Sequence, residues 1–526
     1  MDPHPDARRL LRGAVAGLVS TGVALGSAEL VAATRRDLRS PIFDVGARFV
    51  DHTPAWLKDF AIEQFGTNDK LALLVGIGVV LVLYGIGIGI AATRHRWVGV
   101  AGVVLFGAIG TYASLGGVHG PWAVLPTLVG TIAGAGAMWI LSGLAAATEQ
   151  AISTEGGAPG RTPPPSGALA ALGGRRAFLA GSAALAATAA AAGGAGRWLS
   201  RRFDVAATRA GIVLPKAKRA LAPVPDDAML DVPGLTPFVT PNADFYRIDT
   251  ALVVPQVPID SWRLRVTGMV DRELTFTFDE LLERDLVEAD ITLTCVSNEV
   301  GGRLAGNARW LGVPLEELLR EAGVQDGADQ IVGRSTDGYT AGFPVEAAFD
   351  GRGALVAIGM NGEPLPTRHG YPARLVTPGL YGYVSATKWL TEIELTTFER
   401  FGAYWTTRGY AVQAPIKTFS RIDTPRALGS IDAGRHPIAG VAWAQTRGIQ
   451  RVEVRIDGGE WHEARLADEL NDQTWRQWVL PWDFTSGRHT IECRATDGTG
   501  AIQTQERSEP LPDGATGWHS IVVIVP

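Results

Sequence analysis

Residues 71–90 read LALLVGIGVVLVLYGIGIGI, a run without one charged side chain. A helix needs about 20 apolar residues to cross a hydrocarbon core, and this run is too long and too apolar for an ordinary core helix. Working outward, four more stretches of the first 200 residues are comparably long and nearly free of charge. They lie near 13–33 (interrupted only by Glu29), 97–118, 121–148 and, Ala-rich rather than Leu-rich, 177–196; the quoted run itself extends over 71–93. The sequence thus predicts an N-terminal α-helical transmembrane bundle of about five spans within residues 1–204.

Basic loops orient such a bundle. Arg8, Arg9 and Arg12 precede the first span, Arg94, His95 and Arg96 link the second to the third, and Arg175 and Arg176 precede the fifth. All three clusters fall on one side if the N-terminus is cytoplasmic. The chain then reads as a multi-pass protein of the cytoplasmic membrane, with everything after Arg197 on the extracytoplasmic side. Arg35, Arg36 and Arg39 run against this, offset by Asp37, Asp44, Asp51 and Asp59. Gly174-Arg175-Arg176-Ala177-Phe178-Leu179, ahead of a mild Ala-rich run, looks like a twin-arginine export signal, a route for proteins folded around a cofactor; the plainer reading is two stop-transfer arginines. Residues 149–175, with RTPPPS at 161–166, read as a flexible cytoplasmic linker. His52, His95 and His119 lie in or near loops, and no two His share helical spacing inside a span, so no haem-binding bundle is expected.

The whole chain has 526 residues, a net charge of −6, 46% hydrophobic and 19% charged residues. That excludes a disordered chain, a disulfide-stapled mini-protein and a basic nucleic-acid binder. Residues 1–204 are net positive and the remainder net negative, as for two parts in different surroundings. Cys295 and Cys493 are too few for a disulfide framework.

From about Leu221 the pattern turns to short strands, Pro/Gly turns and modest helices, an α+β signature. Trp262-Arg-Leu-Arg-Val-Thr alternates with period two, and so does Thr275–Phe278, after which Asp279 is placed to cap a helix over Glu280-Leu-Leu-Glu. Residues 314–323 form an amphipathic helix between a Pro and a Gly. After about Trp405 helix signals vanish. Val452-Glu-Val-Arg-Ile-Asp-Gly-Gly-Glu-Trp is a strand, a hairpin turn and a strand; 475–480, 489–496 and 518–525 follow at regular spacing. This predicts a C-terminal immunoglobulin-like β-sandwich over 405–526 with Cys493 facing its core, after an α+β domain over 221–404.

Cys295 ends the apolar strand Ile291-Thr-Leu-Thr and opens Val296-Ser-Asn-Glu-Val-Gly-Gly. A thiol at a strand end beside two glycines suits a ligand or a nucleophile, while position alone equally allows a buried structural Cys. Its surroundings add to this. Phe245-Tyr-Arg-Ile-Asp, Thr294-Cys-Val-Ser-Asn, Asn307-Ala-Arg-Trp-Leu-Gly-Val-Pro-Leu, Arg368-His-Gly-Tyr-Pro-Ala-Arg and Lys388-Trp-Leu occur in that order. Together they resemble the sulfite oxidase family of molybdenum enzymes over about 237–526, including its bacterial periplasmic branches; the membrane half lies outside the usual family pattern.

The resemblance implies a sulfite-oxidase-like fold holding molybdenum in molybdopterin, with Cys295 as the one protein thiolate on the metal. It implies that Asn242, His369, Arg374, Ser385 and Lys388 anchor the pterin and its phosphate, where a basic cluster fits a buried anion. It also implies that Arg247 and Arg447 bind a small oxyanion, with Trp310 and Tyr410 lining that pocket. Family members use the sandwich to form homodimers.

One departure bears on substrate. Eukaryotic members carry a pair of arginines in the stretch after the ligand Cys; here it reads Cys295-Val-Ser-Asn-Glu299-Val300. Exchanging a cation for a carboxylate lowers attraction for a dianion. Three readings result: a membrane-anchored oxidase of sulfite or a related sulfur anion, a reductase of S- or N-oxides on the same cofactor, and a non-catalytic cell-surface binding protein. The chain has no Cys-x-x-Cys-His, so the electron carrier, cytochrome or quinone-linked, is expected to be separate.

Overall fold

The computed structural model describes residues 5–54, 57, 60, 64–65, 69–115, 120–155 and 174–526. His119, Asp59 and most of the expected 149–175 linker lie outside the described residues. The chain divides into two compact units, Met1–Asp204 with Thr250–Val253, and Val205–Asp249 with Val254–Pro526.

The first unit is helical: α1 (Pro5–Ala32), α2 (Pro41–His52), α3 (Asp69–Ala92), α4 (Arg96–Leu115), α5 (Leu125–Glu155) and α6 (Gly174–Ser200). Five of its helical segments are long and apolar enough to cross a membrane: Ala7–Ala32, Lys70–Ala92, Arg96–Leu115, Pro121–Thr148 and Gly174–Ala210. They coincide with the five expected stretches. α1 packs against α3, α5 and α6. Its crossing with α3 is a backbone contact: a Cβ on Gly17 would stand 1.8 Å from the Gly85 carbonyl oxygen, and one on Gly89 would stand 2.1 Å from that of Gly13. Two Gly-x-x-x-Gly pairs bring the helices this close, which is how helices associate where lipid offers no hydrophobic drive. The outer faces are apolar, with Leu83 63% and Ile132 74% exposed.

The second unit holds two sheets and then a sandwich. β1 (Leu264–Gly268), β2 (Leu274–Phe276), β5 (Gln330–Ser335), β6 (Thr340–Pro344) and β10 (Leu390–Thr396) form one sheet in the order β2-β1-β10-β5-β6. The other runs β3 (Val287–Thr294), β4 (Ala305–Pro314), β7 (Leu355–Met360), β8 (Glu363–Pro364), with β9 (Arg374–Val376) also paired to β7. Helix α7 (Phe278–Leu282) is capped by Thr277, not by Asp279 as expected. Thr277 Oγ1 accepts from the Glu280 amide at 3.2 Å, and the Glu280 carboxylate accepts from the Thr277 amide at 2.7 Å. Thr-x-x-Glu forms a reciprocal box, which leaves Asp279 already inside the helix. Helix α8 (Leu315–Ala322) ends at Gly323 with φ +70°, as the Gly predicted.

Residues 405–418 run along the 379–382 segment: the Tyr381 amide donates to Ala414 O and the Ile416 amide to Gly379 O, both at 2.9 Å. Two four-stranded sheets follow. β11 (Phe419–Thr424), β12 (Gly434–Trp443), β16 (Arg476–Phe484) and β15 (Arg465–Leu466) form one; β14 (His462–Glu463), β13 (Ile449–Ile456), β17 (Gly487–Asp497) and β18 (His519–Val525) form the other. Ile438, Val452, Val454, Trp478, Ile491, Cys493 and Val523 from both sheets share one core. Cys493 faces that core, its Sγ 3.3 Å from Ser420 Oγ. Loops of this sandwich cover the outer edge of β3. The Thr292 amide donates to Gln473 O at 3.0 Å, and Thr292 O accepts from Gln445 Nε2 at 2.6 Å.

Candidate active site

Strand β3 delivers Cys295 to the neck of a closed loop. The Cys295 amide donates to Leu304 O (2.9 Å), the Asn298 amide donates to Cys295 O (3.1 Å), and Asn298 Oδ1 accepts from the Leu304 amide (2.7 Å). The thiol is 7% exposed and outside any disulfide. Burial raises the phenols of Tyr246, Tyr339 and Tyr381 above their ordinary range, and a charge on Cys295 would add to each, after Asp513 in the case of Tyr381. None of the three phenols was singled out from the sequence.

Behind Cys295 lies an aromatic floor. The Phe245 ring stacks on Tyr246 and meets Trp310 and His369 edge-on, at 5.9 and 5.6 Å. Trp310, expected to line the substrate pocket, is fully buried. Its indole N–H donates to Ile291 O (3.1 Å) and its face carries the Arg374 guanidinium 5.1 Å above the ring. It acts as a platform for that cation.

Arg374, 3% exposed on β9, donates to the carbonyls of His369, Leu375 and Ala386 at 3.2–3.4 Å. No carboxylate pairs with it among the described residues, and burial pulls it down from the usual 12.5 to about 10. A buried cation without a counter-charge is costly unless an anion joins it. His369 is wholly buried beside it. Its Nε2 faces Asn242 O at 3.1 Å, so Nε2 carries the proton, while Nδ1 has no partner. Burial, then Lys388 and Arg374, lower its pKa to about 3. A guanidinium without a counter-charge fits a bound phosphate, while the orphaned Nδ1, an acceptor in this tautomer, fits a donor N–H or O–H of a bound group. Asn242 completes the corner by donating to Met360 O and Glu363 and accepting from Asn361.

Lys388 and Arg247 meet at one carboxylate. Lys388 Nζ donates to Asp249 (2.8 Å) and to Ile248 O (3.0 Å), while Arg247 binds the same Asp249 through Nε and Nη2 at 2.8 and 3.1 Å. Burial brings Lys388 down to about 8, Asp249 opposing. Asp249 is thus the hub of the group, and the spacing Arg247-Ile-Asp249 puts both side chains on one side of extended chain. Ser385, on the short helix α9 (Gly382–Ser385), shares its hydroxyl between Leu380 O and Tyr381 O, both at 3.1 Å.

Arg447 and Tyr410 enter from the following segments. Arg447 Nε donates to Asp497 (2.8 Å), Nη2 to Ile416 O and Thr418, and Nη1 to Gln445 O. Burial works against the Asp497 charge, but hydrogen bonds from Thr499, Arg447 and Thr418 hold it at about 2. Tyr410 packs on Tyr383 and Trp405, at 5.4 and 5.2 Å. The site residues thus fall into two linked sets. Asn242, His369, Arg374, Lys388 and Arg247 form one set, joined by His369 and by Asp249. Arg447 and Tyr410 attach through residues 405–418.

Residues 251–405 match the family model described as "oxidoreductase molybdopterin binding domain". Mitochondrial sulfite oxidase of Homo sapiens is 29% identical over 343 residues, covering 55% of this chain and 62% of that protein. Nitrate reductase [NADH] 2 of Nicotiana tabacum is 31% identical over 335 residues, 51% of this chain and 37% of that one. Among solved structures, the sulfane dehydrogenase SoxCD from Paracoccus pantotrophus aligns with a TM-score of 0.47 at 25% identity, over 53% of this chain and 76% of that chain. The chain spans about three fifths of the length of the mammalian sulfite oxidases it matches. The match makes residues 251–405 a molybdopterin-dependent oxidoreductase domain. Over that segment the chain is similar to sulfite oxidases, and the cofactor such a domain binds is molybdenum held by molybdopterin.

Proposed function

We propose that this chain is a membrane-anchored oxidoreductase, facing the extracytoplasmic side, that oxidises sulfite or a related sulfur anion and hands electrons to a separate carrier. The observation that carries the reading is the buried Arg374, without a carboxylate, beside the partnerless Nδ1 of His369. Those two, with Lys388, Ser385 and Asn242, would hold the pterin and its phosphate, and Cys295 would supply the thiolate to the metal. When bound, that group supplies oxygen-atom transfer and accepts two electrons. Sulfite and water give sulfate, two protons and two electrons, so a carrier must remove the electrons.

The chain's own residues supply binding and orientation. Arg247 and Arg447 are offered as the anion clamp. Asp249 and Asp497 fix each guanidinium by short hydrogen bonds, so little rotamer freedom is lost when substrate arrives. Trp310 supports Arg374 from below, and Tyr410 closes the side formed by Tyr383 and Trp405. The five apolar helices support membrane anchoring. The sandwich is read as immunoglobulin-like, with a homodimer as the expected assembly.

A second reading, reduction of S- or N-oxides, is favoured by the same ion pairs. Each proposed anion-binding arginine already faces a carboxylate, and the loop after Cys295 carries Glu299 and Val300 where the eukaryotic members of the resembled family carry a pair of arginines. A neutral oxide would be repelled less than a dianion. Molybdenum-loaded protein assayed with sulfite and an artificial acceptor, then with reduced dye and a panel of oxides, decides between them. No sulfite turnover in a fully loaded sample refutes the first reading, and silence across the panel refutes the second.

A further inference from the structure

The loop that follows Cys295 is gripped by the sandwich. Arg421, on β11 and 5% exposed, donates from Nη1 to Gly302 O at 2.8 Å. Its remaining donors are committed, Nε to Asp423 (2.7 Å) and Nη2 to Thr236 Oγ1 (3.0 Å), so the guanidinium is locked in the orientation that reaches the loop. The second grip is His519, the first residue of β18. Its Nδ1 accepts from the Ile422 amide at 2.9 Å, which requires a neutral ring with the proton on Nε2. Burial and then Arg421 favour that form, Asp423 opposing and Arg507 assisting. The far side of the ring rests on Gly301, where a Cβ would stand 2.2 Å from Nε2 and 2.3 Å from Cδ2. Gly301 has φ +81°, so both its backbone and the ring exclude a side chain there. Val300 meets Gly517 beside it: a Cβ on Gly517 would lie 3.5 Å from Val300 Cγ2.

Neither gripping side chain is seen bonded to Cys295, yet each acts on a loop whose neck is Cys295. Gly302 is tied to Glu299 O, and Asn298 ties both to Cys295 O and to the Leu304 amide. A displacement of Gly301 and Gly302 therefore passes through short hydrogen bonds to the cysteine. Residues that orient a metal ligand without touching the metal typically change affinity or activity on the order of 10- to 100-fold when removed.

We propose that Arg421 and His519 are positioning residues for the Cys295 thiolate, so that the sandwich domain sets the direction of the sulfur by clamping loop 296–303. The proposal rests on the reading of Cys295 as metal ligand. It is tested on full-length, molybdenum-loaded protein through the thiolate-to-metal charge-transfer absorption, alongside molybdenum and pterin content, thermal midpoint and turnover. In Arg421→Met and Gly301→Ala the band shifts or weakens at wild-type metal and pterin content, and turnover falls on the order of 10- to 100-fold. Arg421→Lys keeps more of the band than Arg421→Met. Gly301→Ala combined with His519→Ala recovers at most to the level of His519→Ala alone, because the clashing ring is gone but one half of the clamp is lost and the strain at φ +81° remains. Should Gly301→Ala not fold, His519→Ala alone shifts the band in the same direction as Arg421→Met. Variants that lower the thermal midpoint but leave the band at its wild-type position overturn the clamp, making these contacts domain glue only. A band missing from loaded wild-type protein, or surviving in Cys295→Ser, overturns the ligand reading and the clamp with it.

Discussion

Replacing Arg374 by Met separates a cofactor anchor from a structural arginine. The shift from 12.5 to about 10 means that burial disfavours the charged form by about 3 kcal/mol. Its compensation within the protein is three long hydrogen bonds to carbonyls, about 1 kcal/mol each, and the contact with Trp310, also about 1 kcal/mol. Gain and loss nearly cancel. The cofactor-free variant should therefore match cofactor-free wild type to within ~2 kcal/mol, a shift of a few degrees in thermal midpoint. With the phosphate present the balance changes, because removing one partner of a buried ion pair costs about 3–5 kcal/mol. That corresponds to a fall in cofactor affinity on the order of 10²- to 10⁴-fold. The assay is paired: scanning calorimetry of both proteins from cells unable to make the cofactor, and molybdenum and pterin content of both from cells that make it. Wild-type cofactor content in the variant would refute the reasoning. So would a cofactor-free variant that melts more than about 10 °C early, since Arg374 would then be serving the fold.

Other expectations follow from the same geometry. Cys295→Ser should keep pterin, which Arg374, His369 and Lys388 still anchor, while losing turnover; a variant active at the wild-type rate refutes the thiolate role. Arg447→Met should raise KM for an anionic substrate about tenfold with a smaller change in kcat, because the lost interaction is mostly uniform binding; a fall in kcat alone would contradict it. In cofactor-free protein, His369 and His519 stay neutral down to about pH 3 and 4, whereas the unfolded chain protonates them near 6.5. The unfolded state thus binds more protons as pH falls, and stability, full above 6.5, is lost between 6.5 and about 4 by on the order of 1–3 kcal/mol per group. Denaturant titrations at pH 7, 5.5 and 4 check this, and His519→Gln should flatten the slope. Finally, full-length protein should pellet with membranes after alkaline carbonate washing and be released only by detergent; release by carbonate would refute anchoring through the five helices.

The five long apolar helices were legible because length and apolarity can both be counted along the chain. Cys493 was legible because period-two alternation decides which face a strand residue takes. The cap of α7 was not, since Thr277 and Asp279 are both good capping residues and only the reciprocal bond with Glu280 chooses between them. Among the site residues, Arg247–Asp249 could have been read from its spacing of two. Arg447–Asp497 could not: β13 and β17 bring the two together across 50 positions, Ile449 opposite Asp497. Trp310 illustrates a further gap. Its motif gives its place in the chain, and only packing shows that its indole carries the Arg374 guanidinium.

The covering of β3 has a consequence for how this protein can be cut or recombined. Gln473 and Gln445, both from the sandwich, satisfy the backbone of Thr292, and Trp475 donates its amide to Thr292 Oγ1 at 2.8 Å. Shearing off the last hundred residues would leave the Thr292 amide and carbonyl unsatisfied on the edge of β3, three positions from the cysteine, where a strand of another molecule could pair. The sheet that carries Cys295 and the sandwich that covers its edge are therefore best moved together, since grafting one without the other exposes the backbone of Thr292.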